Sequence, residues 1–204
     1  DKLISYFSIL SMLTRQLINI PVHLGLDHLP NIYCGVAVFV LLPLYIMCSK
    51  VNAREKIGKC VILLIFLTAF NLNIPNYIWH GMHFPNSLPC RQSFIYIFFL
   101  LAMCYEAVIN LKNSTNRQLG ASLWIAIGLL LIMEELFINS ETEYSFKSVY
   151  ISGIFILIYG LLMFIHNNAK FKIPVVLMLT FSVSIIECTM NMDATGIGTT
   201  SRTS

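Results

Sequence analysis

A bundle of transmembrane α-helices is the fold class this sequence predicts, and three observations carry the prediction. Apolar residues make up 57% of the chain and charged residues only 11%, against about 25% charged in soluble globular domains. Mean hydropathy is +0.75. The apolar residues gather into about six runs near the length of roughly 20 residues that a helix needs to cross a bilayer. A chain so poor in charge cannot cover a water-facing surface. The formal net charge of +3 comes from basic residues scattered between the runs, which excludes a nucleic-acid-binding surface.

The expected architecture is all-α: about six spans preceded by an N-terminal interfacial helix. The spans lie near Pro30–Cys48, Lys59–Ile74, Ser93–Leu111, Leu119–Ile138, Ser148–His166 and Ile173–Met190. Pro43 falls inside the first, which membrane helices tolerate. The second is short, and Asn71 and Asn73 suggest that its end reaches water or a polar cavity. The stretch "LISYFSILSMLTRQLINI" is apolar but carries Arg15, and a central arginine is costly in lipid. It reads as interfacial or re-entrant. Residues 1–28 therefore form an outer interfacial or re-entrant segment, 29–190 the helical bundle, and 191–204 an outer polar tail. The chain begins at Asp1, with no Met and no basic n-region, and stops in the polar run "TGIGTTSRTS", the pattern expected of a piece of a longer protein.

Charge alternates between the loops. Lys50, Arg54, Lys56 and Lys59 share one loop, Lys112 and Arg117 another, Lys170 and Lys172 a third. These are every second loop, as the positive-inside rule requires. The loops between them are "PNYIWHGMHFPNSLPCRQ" and the acidic "NSETEYSFK". The expected location is a plasma membrane crossed several times, with basic loops cytoplasmic and the Tyr77–Ser93 loop and both chain ends outside. The sequon Asn113-Ser114-Thr115 then falls in a cytoplasmic loop and reads as a chance match. Six cysteines form no CxxC pair, and most lie in apolar runs as small hydrophobes. No internal repeat is visible.

Ionisable residues at membrane depth mark function or internal pairing, and here most collect toward the outer side. Glu134 and Glu135 end the fourth span and Glu187 nears the end of the sixth, with Asn191 and Asp193 beyond. His80, His83 and Arg91 lie in the outer loop, and Asp27 and His28 precede the first span. A solvated helix end is the alternative reading for the three glutamates. Glu106 lies toward the inner half and is expected to snorkel to the headgroups or pair there.

His80 and His83 could ligate a metal, but catalytic zinc needs three protein ligands and spacing supplies no third. No metal or other cofactor is expected. The histidines instead donate hydrogen bonds to a ligand or cap the loop, with Trp79 and Tyr77 at the interface. The Arg91 guanidinium suits a phosphate or pyrophosphate, unless it only anchors headgroups. Pro75, Pro85 and Pro89 forbid a continuous helix. Gly81 permits unusual dihedrals. With Phe84 adding a further aromatic, the loop reads as a folded lid or re-entrant turn.

The strings "LPNIYCGV" (29–36), "REKI" (54–57) and above all "NYIWHGMHFPNSLPCRQSFIYIFFLL" (76–101) resemble the bacterial YfhO family of membrane proteins. The tail from "ECTMN" (187–191) resembles the segment leading into that family's later extracytoplasmic part. The resemblance implies a GT-C type glycosyltransferase, which moves a sugar from a polyprenyl-phosphate carrier to a cell-envelope acceptor such as lipoteichoic acid. It implies membrane lipid, the lipid-linked sugar and the glycopolymer as partners. The catalytic carboxylate of such enzymes is expected in an early outer loop, outside this chain; the context of Asp27 does not match that loop. The substrate-binding candidates are Trp79, His80, His83, Arg91, Glu135 and Glu187. A transporter or flippase of a lipid-linked or anionic solute, or a non-catalytic membrane subunit, are the competing readings.

Overall fold

The computed structural model describes residues 3–22, 29–83, 90–139, 146–168 and 173–194. Asp27, His28, Phe84, Pro85, Pro89, the acidic loop 140–145, Lys170, Lys172 and the tail from 195 lie outside these residues. The described chain is helical: α1 (Ile9–Thr14), α2 (Val38–Met47), α3 (Ala53–Asn71), α4 (Asn73–Trp79), α5 (Ser93–Ile109), a 3₁₀ turn (Leu111–Asn113), α6 (Asn116–Asn139), α7 (Phe146–Asn168) and α8 (Ile173–Ala194). Its β-structure among those residues is an isolated antiparallel bridge between Ser5 and Leu72.

Each predicted span coincides with a helix, but the lengths differ. By length and composition α6 (through Glu135), α7 and α8 (from Pro174) can cross a membrane. Helix α5 has 17 residues and α2 only 10. The first predicted span begins at Pro30, yet helix begins at Val38. The reason is local and tertiary together. Gly35 adopts φ +97°, a conformation open to glycine but outside helical space, and the backbone of 32–36 is bonded elsewhere, as described below.

Helix α2 is the centre of the bundle. It packs on α5 and α6, α6 packs on α7, and α7 carries α8. Val38, Val40, Leu41, Leu44 and Tyr45 are buried. Gly160 of α7 lets α6 approach closely, since a Cβ there would stand 2.9 Å from Leu123 Cδ1. The outward faces keep large apolar side chains exposed, among them Phe98, Trp124, Leu161 and Phe181, as a bilayer-facing surface requires.

At the basic end, Lys56 Nζ donates to the Ile46 carbonyl (2.8 Å) and to that of Cys48, closing the C-terminus of α2 as a cation there should. Lys59 pairs with Glu55 one turn away (2.6 Å) and with Glu106 of α5. Glu106 thus finds its partner on α3 inside the bundle.

At the opposite end α3 stops at Asn71 and α4 restarts at Asn73, with Leu72 extended between them. The two asparagines do not face water, as their polarity suggested. They capture the N-terminal strand-like segment: Asn71 Oδ1 accepts from Phe7 N (3.0 Å) and Ser5 Oγ (3.1 Å), and Asn73 Oδ1 accepts from Ile4 N (2.9 Å). Backbone bonds Tyr6 N to Asn71 O (2.9 Å) and Asn73 N to Ile4 O (3.1 Å) complete the joint. Pro75 is tolerated because it lies in the first turn of α4, where amide donors have no helical partner. Part of the expected loop, Tyr77–Trp79, is therefore helix.

Replacing Asn71 by Leu strands Phe7 N–H and Ser5 Oγ and should lower stability by about 1–3 kcal/mol. Thermal unfolding in detergent, with proteolysis at residues 3–8 as a local readout, checks this. A variant that melts like the wild type, with the segment still protected, would show that the joint contributes nothing.

Candidate functional site

Among the described residues, Glu187 is the carboxylate buried within the bundle. Glu187 sits on α8 about seven residues before its end, roughly 10 Å along the axis, and is 3% exposed. Three donors from two other parts of the chain converge on it. Tyr33 Oη donates to Oε1 (2.7 Å), the Val36 amide donates to the same oxygen (2.7 Å), and Tyr159 Oη of α7 donates to Oε2 (2.6 Å). Ser184 Oγ, one turn back on α8, stands 3.2 Å from the same tyrosine hydroxyl. A buried charge or polar group is tolerated when its hydrogen-bonding capacity is met, and these contacts meet it.

The geometry depends on Gly35. Its positive φ precedes the Val36 amide that faces Glu187, and a Cβ at 35 would lie 3.8 Å from Oε1 and 3.9 Å from Oε2. The same stretch is held from behind. With its amide oriented to satisfy the backbone, Gln16 donates to Ile32 O (2.6 Å) and accepts from Cys34 N (3.0 Å). Arg15, 3% exposed, donates from Nη1 to Pro21 O (2.7 Å) and from Nη2 to Asn31 Oδ1.

The segment carrying these two residues is buried from Met12 to Ile20, Leu13 and Asn19 less deeply than the rest. Ile18 N donates to Ser152 Oγ (3.1 Å), Asn19 N to Asn191 Oδ1 (3.1 Å), and Ser148 Oγ to Asn19 O (3.3 Å). Arg15 is thus placed among protein acceptors, which removes the lipid cost that the sequence raised.

A second group of residues lies at the end of the bundle marked by the α3–α4 joint. Trp79 ends α4 and packs edge-on against Phe66 of α3 at 4.9 Å, while 41% of it remains exposed. A glycine-closed turn follows. Met82 N bonds to Tyr77 O (3.0 Å) and Gly81 N to Ile78 O (3.1 Å), with Gly81 at φ +70°, the geometry of a Schellman C-cap. His80 stands at the cap, its Nδ1 2.9 Å from Asn76 O. Nδ1 therefore donates to that carbonyl, and Nε2 is buried and meets no partner among the described residues. His83 and Arg91 are exposed.

Trp79, His80 and His83 share one helix and its turn. Glu134 accepts from Tyr150 Oη (2.8 Å) and Glu135 is exposed at the end of α6. Glu187 stands apart from them, enclosed by its donors. Among the described residues no group of three His, Cys, Asp or Glu is arranged to hold a metal ion.

Sequence reasoning did not find Tyr33 or Tyr159 as the partners of Glu187, nor Gln16. The available signal was indirect: a tyrosine in an apolar run seeks a hydrogen-bond partner when buried, and a lone carboxylate in another span is the natural one.

A helical bundle with long apolar spans, a bilayer-like exterior and a buried carboxylate bonded within the chain defines the class: an integral helical membrane protein. A family model described as bacterial membrane protein YfhO matches residues 3–204. The chain belongs to that family. No curated protein and no solved structure matches it.

The cage makes a graded expectation. Glu187→Leu strands the Val36 amide and the two tyrosine hydroxyls and should cost at least about 2 kcal/mol of stability. Glu187→Gln keeps an acceptor for Val36 and should cost less. Gly35→Ala should destabilise through its positive φ. Melting curves of the three variants rank them; equal melting for Leu and Gln would remove the cage from the account.

Proposed function

We propose that this chain contributes to a membrane glycosyltransferase of the GT-C type, which transfers a sugar from a polyprenyl-phosphate carrier to a cell-envelope acceptor such as lipoteichoic acid. Membership in the YfhO family and the likeness of residues 76–101 to that family support the reading. The observation that carries it is the Trp79–His83 helix end: a half-exposed indole, two imidazoles and, beyond the loop, an exposed guanidinium at Arg91.

These are binding groups of the right chemistry. Trp79 offers an apolar face to a sugar ring or prenyl chain. Arg91, with five donors in a planar fork, suits the carrier phosphate. The exposed His83 and Arg91, as donors facing that phosphate, would stabilise the charge that builds on it as the glycosidic bond breaks, while His80 caps the helix that carries Trp79. Glu135 is assigned a hydrogen bond to sugar or acceptor hydroxyls. Glu187 is assigned a positioning role, through the Tyr33–Val36 segment, for any substrate that reaches the bundle interior. In this reading the Trp79–Arg91 end faces outward and the Lys56–Lys112 end faces the cytoplasm.

Arg91→Ala in the full protein should depress sugar transfer from a polyprenyl-phosphate donor by roughly 100-fold, the scale of one lost charge-stabilising donor, with protein abundance unchanged. Wild-type transfer in that variant removes Arg91 from the site, and solute movement without transfer favours a transporter.

Orientation has a separate check. Cys90 is a poor reporter: it is buried, and burial pushes its thiol up to about 12, so thiolate is scarce at neutral pH and increases only as pH rises toward that value. Met82→Cys, at an exposed turn position, should instead react with an impermeant maleimide on intact cells. Labelling that requires lysis would reverse the topology.

A further inference from the structure

Among the described residues, the hydrogen bonds that tie helix α8 to other elements lie toward one end of it. Its bonds to Tyr33, Val36, Tyr159 and Asn19 all come from Ser184 or later. Its N-terminal half stands away from α2 and α5 and leaves a cavity of about 240 Å³ there. Ala37 and Leu41 of α2, Val108 of α5, Met163 of α7 and Leu177 of α8 form its walls. Tyr159 and Ser184 lie at the end nearest Glu187, and Leu111 and His166 at the other.

The cavity has the wrong chemistry for water. At about 30 Å³ each, roughly eight waters would fill it, and each needs two to four polar partners. The hydroxyls that line it are already engaged: Tyr159 with Glu187 (2.6 Å), Ser184 with Thr180 O (3.0 Å) and Thr180 with Val176 O (2.9 Å). Apolar cavities of about 150 Å³ stay dry and take apolar guests. At membrane depth the abundant apolar guest is a lipid chain.

Charge at the mouth narrows the class. Leu111 is followed by exposed Lys112, and Arg117 lies exposed one residue beyond Asn116. The start of α6 is tied to the end of α7 by Asn167 Nδ2 to Ser114 O (3.0 Å) and Asn116 Nδ2 to Asn168 Oδ1 (3.1 Å), which holds the turn carrying Lys112 and Arg117 at the end of α7 that carries His166. The carboxylates at this end, Glu55 and Glu106, are both paired with Lys59. An anionic headgroup is attracted there.

We propose that this cavity holds one acyl chain of an anionic glycerophospholipid, drawn from the leaflet at the Lys112 end, as a resident lipid that fills the gap between α8 and the α2–α5 pair. The site is separate from the Trp79–Arg91 end and does not depend on the function assigned to it.

The full protein, purified in mild detergent and extracted for lipid mass spectrometry, should carry about one phospholipid per chain, and Ala37→Phe, which fills the wall, should lower that by roughly tenfold. In nanodiscs the wild type should melt higher in phosphatidylglycerol than in phosphatidylcholine, and Lys112→Glu should remove the difference. A phosphatidylglycerol carrying a photoreactive acyl chain should crosslink wild-type protein at Leu41 and Met163; this arm needs no variant to fold. Recovery of an isoprenoid instead, of no lipid, melting indifferent to headgroup, or crosslinks spread over outward residues such as Phe181 and Ile185, would each overturn the proposal.

Discussion

The carboxylate of Glu187 is the constraint on which the arrangement of this bundle turns. Inside a membrane no water is available to satisfy it, so the fold must bring donors to it. Those donors come from α7 and from the non-helical stretch before α2. The result ties the last helix to both. Without it α8, which faces outward along nearly all its length, would hold to the bundle through its packing on α7 and the bond from Asn19 N to Asn191.

The same requirement explains the irregular backbone at depth. Non-helical chain is tolerated at membrane depth only where protein surrounds it. Residues 31–36 meet that condition through Gln16, Arg15 and Glu187, and residues 15–19 through Ser148, Ser152 and Asn191. A polar, hydrogen-bonded core is thus enclosed within an apolar one. Gly35 is the hinge of this arrangement through its dihedral of +97°, which turns the Val36 amide toward the glutamate; a Cβ there would meet the carboxylate at ordinary contact distance.

The two ends of the bundle are built differently. At one, the α3–α4 joint and a glycine-closed helix end hold Trp79 and His80 on rigid backbone, which is what a binding group needs to act with little loss of entropy. At the other, lysines close helix ends and pair with Glu55 and Glu106. Clamping α8 at the first end leaves the gap at the second, so the polar core and the apolar cavity are consequences of one attachment.

Much of the fold was legible because it rests on local and compositional physics. Runs of apolar residues near bilayer length announce helices, and all six runs are helical in part. The family likeness was carried by the specific string 76–101, and Gly81 was readable as a conformational device. What sequence could not give was partnership. Asn71 and Asn73 look solvated until residues 4–7 are placed against them. Arg15 looks unpaired until Asn31 and the Pro21 carbonyl are placed beside it. Pro30–Ala37 looks like helix until Glu187, some 150 residues away, takes its amide. Composition and periodicity decide that a segment is helical and membrane-seeking, because those depend on neighbours in the chain. Only tertiary structure decides where a polar group is satisfied, because in a water-free interior its partner can lie at any distance along the chain.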